Sequence, residues 1–200
     1  MKATVRRWTL AVVLCALLLP SAGVGAQKSE KRPETIEIVN FLLGLDYSHW
    51  LVGPVYFIAS EAERSEFLAL SSDDQAEAFI EIFWKRRNSG LDIFGNDARR
   101  EFEERAKQAD TRYREGAVVG RRSDRGTIFV LYGEPASVEY DTSMKRNEPD
   151  LEVWVYPKDA TEGLDGAKPK RRYWFAEKDG RTVLHTPRAS RRTTTIERQG

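Results

Sequence analysis

Between Ser72 and Arg87 the apolar positions Ala76, Phe79, Ile80, Phe83 and Trp84 fall at i, i+3, i+4, i+7 and i+8, the stripe of one helix face. Ser72 with Gln75 reads as the capping box that opens this helix, and Lys85, Arg86 and Arg87 place cations in its last turn, where they complement the dipole, before Gly90 supplies a stop. A shorter helix to about Leu70 is announced by a second box, Ser60 with Glu63. Asn96 can cap a third helix with a stripe of Ala98, Phe102, Arg105 or Ala106, Ala109 and Tyr113, ending by Gly116. Upstream, Ile36, Val39 and Leu42 or Leu43 are spaced for a helix over Thr35 to Leu45. Gly53-Pro54 marks a turn, and the `VYFI` that follows has strand character.

After Gly120 the pattern changes. Thr127–Tyr132 (`TIFVLY`) is a continuous β-branched and aromatic run, expected to form a central strand covered on both faces. Gly133-Glu134-Pro135 reads as a turn, `SVEY`, `LEVWVY` and `RRYWFA` as strands, and `KDG` as a hairpin turn before `RTVLH`. Helices followed by strands, without β–α alternation, predict an α+β fold in which N-terminal helices pack on a mostly antiparallel sheet. Residues 157–170 read as a polar loop and 187–200 as a disordered tail.

The N-terminus changes where this domain is expected to work. Lys2, Arg6 and Arg7 precede an apolar run from Thr9 to Leu19, Pro20 breaks it, and Val24 and Ala26 suit the −3 and −1 positions of a cleavage site. Residues 1–26 are therefore expected to be a cleaved signal peptide and the mature chain periplasmic or secreted, with 27–48 a leader carrying the short helix and 49–186 a single domain. The apolar run is too short to span a bilayer, so no integral span is expected in the mature chain. Cys15, the only cysteine, sits inside that run, without the preceding small residue a lipid attachment needs. The mature chain then has no disulfide or thiolate metal site, and its stability rests on packing. Removing the three cations Lys2, Arg6 and Arg7 from 32 leaves 29 basic residues against 31 acidic, a formal charge of −2, which argues against nucleic acid as a partner.

One set of features resembles a known family. The `FW..R` helix end (Phe83, Trp84, Arg87) is followed by Asn96, then by Glu101, Phe102, Arg105 and Ala109. Gly120, Ser123, Asp124, Arg125 and Gly126 come next, and `IFVLYGEP` and `VWVY` close the series. In this order they resemble the GWxTD domain of exported bacterial proteins. The resemblance implies an exported domain without an established activity. The motif that names the family reads here Gly120-Arg121-Arg122-Ser123-Asp124, with arginine in place of tryptophan.

Candidate chemistry is sparse. In `GRRSDRG`, backbone amides of Gly120 and Gly126 with Arg121, Arg122 and Arg125 could cradle an anion, Ser123 and Asp124 completing the site. The competing reading is a structural turn in which Ser123 or Asp124 accepts local backbone hydrogen bonds and Asp124 pairs with an arginine. Asp124 and Glu134 form the alternative catalytic pair of a hydrolase or transferase. His49 and His185 lack metal-ligand spacing, no cofactor motif is present, and Ser123 with His185 lacks a nucleophile elbow. Trp50, Trp84, Trp154, Tyr156, Tyr173, Trp174 and Phe175 could form a sugar- or peptide-binding face or the core, with the core favoured. The expectation is a non-enzymatic binding or assembly module of the cell envelope, whose partner is an envelope protein or glycan.

Overall fold

A computed structural model of the chain describes residues 38–87, 97–142 and 148–187. The expected signal segment, the leader up to residue 37, Gly90, Asn96 and the tail from 188 lie outside the described residues. Among the described residues six α-helices come first: α1 (Leu45–Ser48), α2 (Pro54–Ile58), α3 (Glu61–Leu68), α4 (Asp73–Arg86), α5 (Asp97–Arg112) and, after a 3₁₀ turn at Gly120–Arg122, α6 (Asp124–Tyr132). Strands β1 (Ser137–Asp141), β2 (Leu151–Val155), β3 (Arg172–Lys178) and β4 (Arg181–His185) then form one antiparallel sheet in sequential order. This is the α+β arrangement expected from the pattern.

The capping signals hold at the atomic level. Ser60 Oγ accepts from Glu63 N at 3.3 Å while Glu63 Oε2 accepts from Ser60 N at 2.9 Å, so both halves of the box are made. On α4, Ser72 Oγ accepts from Gln75 N at 3.4 Å, but Gln75 returns its bond to Ser71 N at 3.0 Å, one residue earlier than the box pattern expects. The α4 stripe buries Ala76, Phe79, Phe83 and Trp84, and α5 buries Phe102, Ala106 and Ala109. Arg87 folds back from the end of α4 to donate to Phe83 O, Ile58 O and both oxygens of Glu63, tying α2, α3 and α4 together. Asp179 (φ 53) and Gly180 (φ 71) make the two-residue β3–β4 turn that `KDG` announced.

Three readings of the chain are corrected. Thr127–Tyr132 is not a central strand but the body of α6. Ser123 caps it, its Oγ accepting from Gly126 N at 3.1 Å, and Gly133 at φ 76 ends it. Because Gly126, Thr127, Ile128, Phe129, Val130 and Leu131 are all buried, the helix is apolar all round, and it carries no 3.6-residue periodicity to separate it from a buried strand. `VYFI` is likewise helical, with Pro54 at the first position of α2, where its missing N–H costs nothing. Of the helix expected over Thr35–Leu45, residues 35–37 lie outside the described residues, 39–44 form a loop with a turn at 41–42, and an α-helix begins only at Leu45.

Among the described residues α6 lies at the centre of the core. The sheet lays Trp154, Tyr173 and Phe175 on its inner face, and Tyr113, directly after α5, touches both Trp154 and Phe129. A second aromatic cluster, Trp50 with Phe67, Phe79 and Phe83, fills the space among the N-terminal helices. Each large side chain so buried contributes about 1.5–3 kcal/mol. The aromatic residues considered for a binding face are thus core: Trp84, Trp154, Tyr156, Tyr173 and Phe175 are each at most 5% exposed. Trp174 alone among them lies on the outer face of the sheet, opposite Val153.

Candidate functional site

The `GRRSDRG` segment is the joint where α5, α6 and the sheet meet. Gly120 is buried against α5 so closely that a Cβ there would lie 2.0 Å from Ala109 O. A Cβ on Gly126 would lie 1.8 Å from Gly120 O. Both positions admit only hydrogen, and that is the physical reason for the two glycines. Ser123 Oγ, besides accepting from Gly126 N, donates to Gly120 O at 2.8 Å. It is buried and fully used, leaving nothing for nucleophilic attack.

The arginines divide. Arg121, in the tryptophan's place, donates to Asp110 of α5 three times: its N to Oδ1 at 2.8 Å, its Nε to Oδ2 at 2.8 Å and its Nη2 to Oδ2 at 2.5 Å. Burial opposes ionisation of Asp110, but the bonds from Arg121 outweigh it and hold the carboxyl below its ordinary range. Arg125 reaches from the first turn of α6 into the sheet, donating to Glu152 Oε2 at 3.0 Å and Glu115 Oε1 at 3.1 Å, while its Nε is buried without a hydrogen-bond partner. Trp154 Nε1 donates to the other oxygen of Glu152 at 2.6 Å. Arg122 turns the opposite way, its Nη2 3.5 Å from His49 O, and burial together with the neighbouring Arg121 lowers its affinity for a proton.

Asp124 accepts from the backbone N–H of Leu184 on β4 at 2.6 Å, fastening the start of α6 to the edge of the sheet. Glu134 lies beyond the other end of the helix, paired with Arg112 of α5 at 2.5 Å. Asp124 opens the nine-residue α6 and Glu134 lies two residues past its end, roughly 13 Å of helix away, so the two carboxylates stand at opposite ends of α6. His49 exchanges a hydrogen bond with Ser48 Oγ through Nδ1 at 2.8 Å, and His185 ends β4. Tyr132, Tyr156 and Tyr173 keep their protons far above neutral pH, chiefly through burial, and serve as packing groups with one polar end. Among the described residues no group of His, Cys, Asp and Glu side chains is arranged to hold a metal ion, and no helix is long and apolar enough to cross a membrane.

Inspection of the sequence missed the partners that absorb the motif's arginines. Asp110, Glu115 and Glu152 lie 10 to 27 residues from the arginines they bind, beyond any local spacing rule. It also missed a surface feature. Asn40 is 3% exposed and its Nδ2 donates to Phe67 O at 3.0 Å and Leu70 O at 2.9 Å, while its Oδ1 accepts from Leu42 N at 3.0 Å. Gly44 N donates to Asp73 Oδ1 at 2.8 Å. These bonds fix a tight loop that inserts Leu43 into the core and leaves Phe41, Leu42 and Leu45 exposed at 72%, 70% and 89%.

In comparisons with known proteins, the model of the family described as the GWxTD domain matches residues 44–185. No curated protein and no solved structure matches the chain.

Proposed function

Starting from the fact that this chain belongs to the GWxTD domain family, we propose that it is an exported, non-enzymatic binding or assembly module of the cell envelope. The observation that carries this reading is the loop of Phe41, Leu42 and Leu45, three large apolar side chains held in water by a buried asparagine. Contiguous apolar exposure on a rigid support is the mark of a surface that meets a partner. A protein fits it better than a glycan, because the loop presents one ring, Phe41, beside two aliphatic side chains, while Trp84, Trp154, Tyr156, Tyr173 and Phe175 are enclosed in the core. The basic, apolar and small-residue order of residues 1–26 supports export.

The signature motif has a different part in this reading. Arg121, Ser123, Asp124, Arg125 and the two glycines hold α5, α6 and the sheet in register, as a clasp rather than an anion cradle. No observation favours the hydrolase or transferase alternative, since Asp124 and Glu134 are each engaged at opposite ends of α6.

The test is crosslinking and pull-down of the mature protein from its native envelope. A Phe41→Ser, Leu42→Ser, Leu45→Ser variant should lose the specific crosslinks while melting like wild type. An Arg121→Ala, Asp124→Ala variant serves as the structural control and should lower the melting temperature. An unchanged crosslink pattern in the loop variant, or a hydrolytic activity abolished by Glu134→Gln, would sink the reading.

A further inference from the structure

The two edges of the sheet differ. On β4 the outward N–H groups of Thr182 and Leu184 donate to Glu115 Oε2 at 3.3 Å and Asp124 Oδ2 at 2.6 Å. Side-chain carboxylates thereby close this edge to any further strand. On β1 all five residues are exposed, and the strand contains neither proline nor lysine. Tyr156 N donates to Arg171 O, which with the registers of β2 on β3 and of β1 on β2 turns the N–H groups of Ser137, Glu139 and Asp141 toward β2. The N–H and C=O groups of Val138 and Tyr140 consequently face outward. Their side chains, 43% and 77% exposed, share one face, while Ser137, Glu139 and Asp141 share the other. Glu139 shares an exposed ion pair with Arg172 at 3.1 Å through Oε2, and about half of its side chain stays open to solvent beside the edge.

We propose that β1 accepts an extended segment of a partner protein as a fifth strand, one in which apolar residues alternate with lysine or arginine. The backbone ladder supplies affinity, and the alternation supplies selectivity. Apolar side chains would lie beside Val138 and Tyr140, and cations beside Glu139 and Asp141. A second copy of β1 fits less well. Antiparallel pairing of Val138 with Tyr140 of a second copy sets the two copies of Glu139 directly opposite each other, and like charges so placed repel. This surface is separate from the apolar loop and goes beyond the reading built on it.

The probe is a synthetic peptide, acetylated and amidated Thr-Lys-Val-Lys-Val-Lys-Thr carrying a fluorophore, with binding read by anisotropy. Tyr140→Pro removes an outward N–H that makes no bond within the sheet, a position at which an edge strand tolerates proline. Tyr140→Thr keeps the N–H. Wild type should bind saturably, Tyr140→Pro about tenfold or more weakly, and Tyr140→Thr within about threefold of wild type. Replacing the lysines by glutamates should weaken binding by about tenfold or more. Should Tyr140→Pro fail to fold, a peptide N-methylated on the residues that face β1 blocks the same ladder from the other side and should also lose binding. Absence of binding to wild type, or equal binding by Tyr140→Pro, by the N-methylated peptide or by the glutamate peptide, would overturn the proposal. So would a dimer of the purified protein that Tyr140→Pro dissolves, since the edge would then belong to a second copy. If the peptide fails while the loop variant still loses its envelope crosslinks, only the edge proposal falls.

Discussion

Gly126→Ala tests whether the motif is a clasp. The new Cβ would lie 1.8 Å from Gly120 O and 2.7 Å from Gly120 C, where ordinary contact begins near 3.4 Å, so the two backbones must part by about 1.6 Å. No rotamer relieves this, because the methyl is fixed by the backbone. Gly120 cannot retreat either, since Ala109 O of α5 lies only 2.0 Å from where a Cβ on Gly120 would stand. Forced overpacking of this kind costs about 1–3 kcal/mol. Displacing Gly126 N from Ser123 Oγ forfeits the helix cap, a further loss of about 1 kcal/mol. Alanine recovers about 1 kcal/mol through its better helix propensity. The net expectation is a loss of about 2 kcal/mol, which at an m-value of about 2 kcal/mol/M moves the urea midpoint down by about 1 M, followed by tryptophan fluorescence. Gly166→Ala is the control: it has φ 73 and open space around its Cα, so it carries only the left-handed penalty of about 1–2 kcal/mol. A Gly126→Ala midpoint equal to wild type would refute the clasp.

Three further outcomes follow from the same contacts. Hydrogen bonds from Arg87, reinforced by those from Ser60 and opposed by burial, hold the Glu63 carboxyl at about 2 against an ordinary 4.5. A depressed acid contributes stability that is full above about pH 4.5 and lost as pH falls through about 2, here about 3 kcal/mol, so the cost of Glu63→Gln in denaturant titrations should shrink to nothing across that window. Arg125→Met leaves Glu115 and Glu152 without their shared cation and should cost about 3 kcal/mol in thermal melts, with Arg125→Met, Glu152→Gln recovering part of it. Within the apolar loop, Leu43→Ala should cost about 2–3 kcal/mol because Leu43 is core, whereas Leu42→Ser should stay within about 0.5 kcal/mol of wild type.

Local signals were legible where one helix face or one strand spacing carried them. The Ser60 box, the α4 stripe and the `KDG` turn needed only neighbours within a few residues, and each is found in place. The run `TIFVLY` was misread because uniform burial erases periodicity. The better signal lay at its ends, where Ser123-Asp124 and Gly133 match a helix cap and stop. At the candidate site, Asp124, Arg125 and the glycines lie together at one joint, but what they hold could not be read from their spacing.

The amino-acid order alone determined the class of fold and the family, because both depend on the succession of periodicities and short motifs along the chain. Only the tertiary structure decided what the motif's charges do. Arg125 meets Glu152 across 27 residues, Asp124 meets Leu184 across 60, and Asp110 occupies the arginine at the tryptophan's position. A charge free in sequence becomes a cradle or a clasp according to which carboxylate the fold carries to it. That is a matter of distance in space, and spacing along the chain does not encode it.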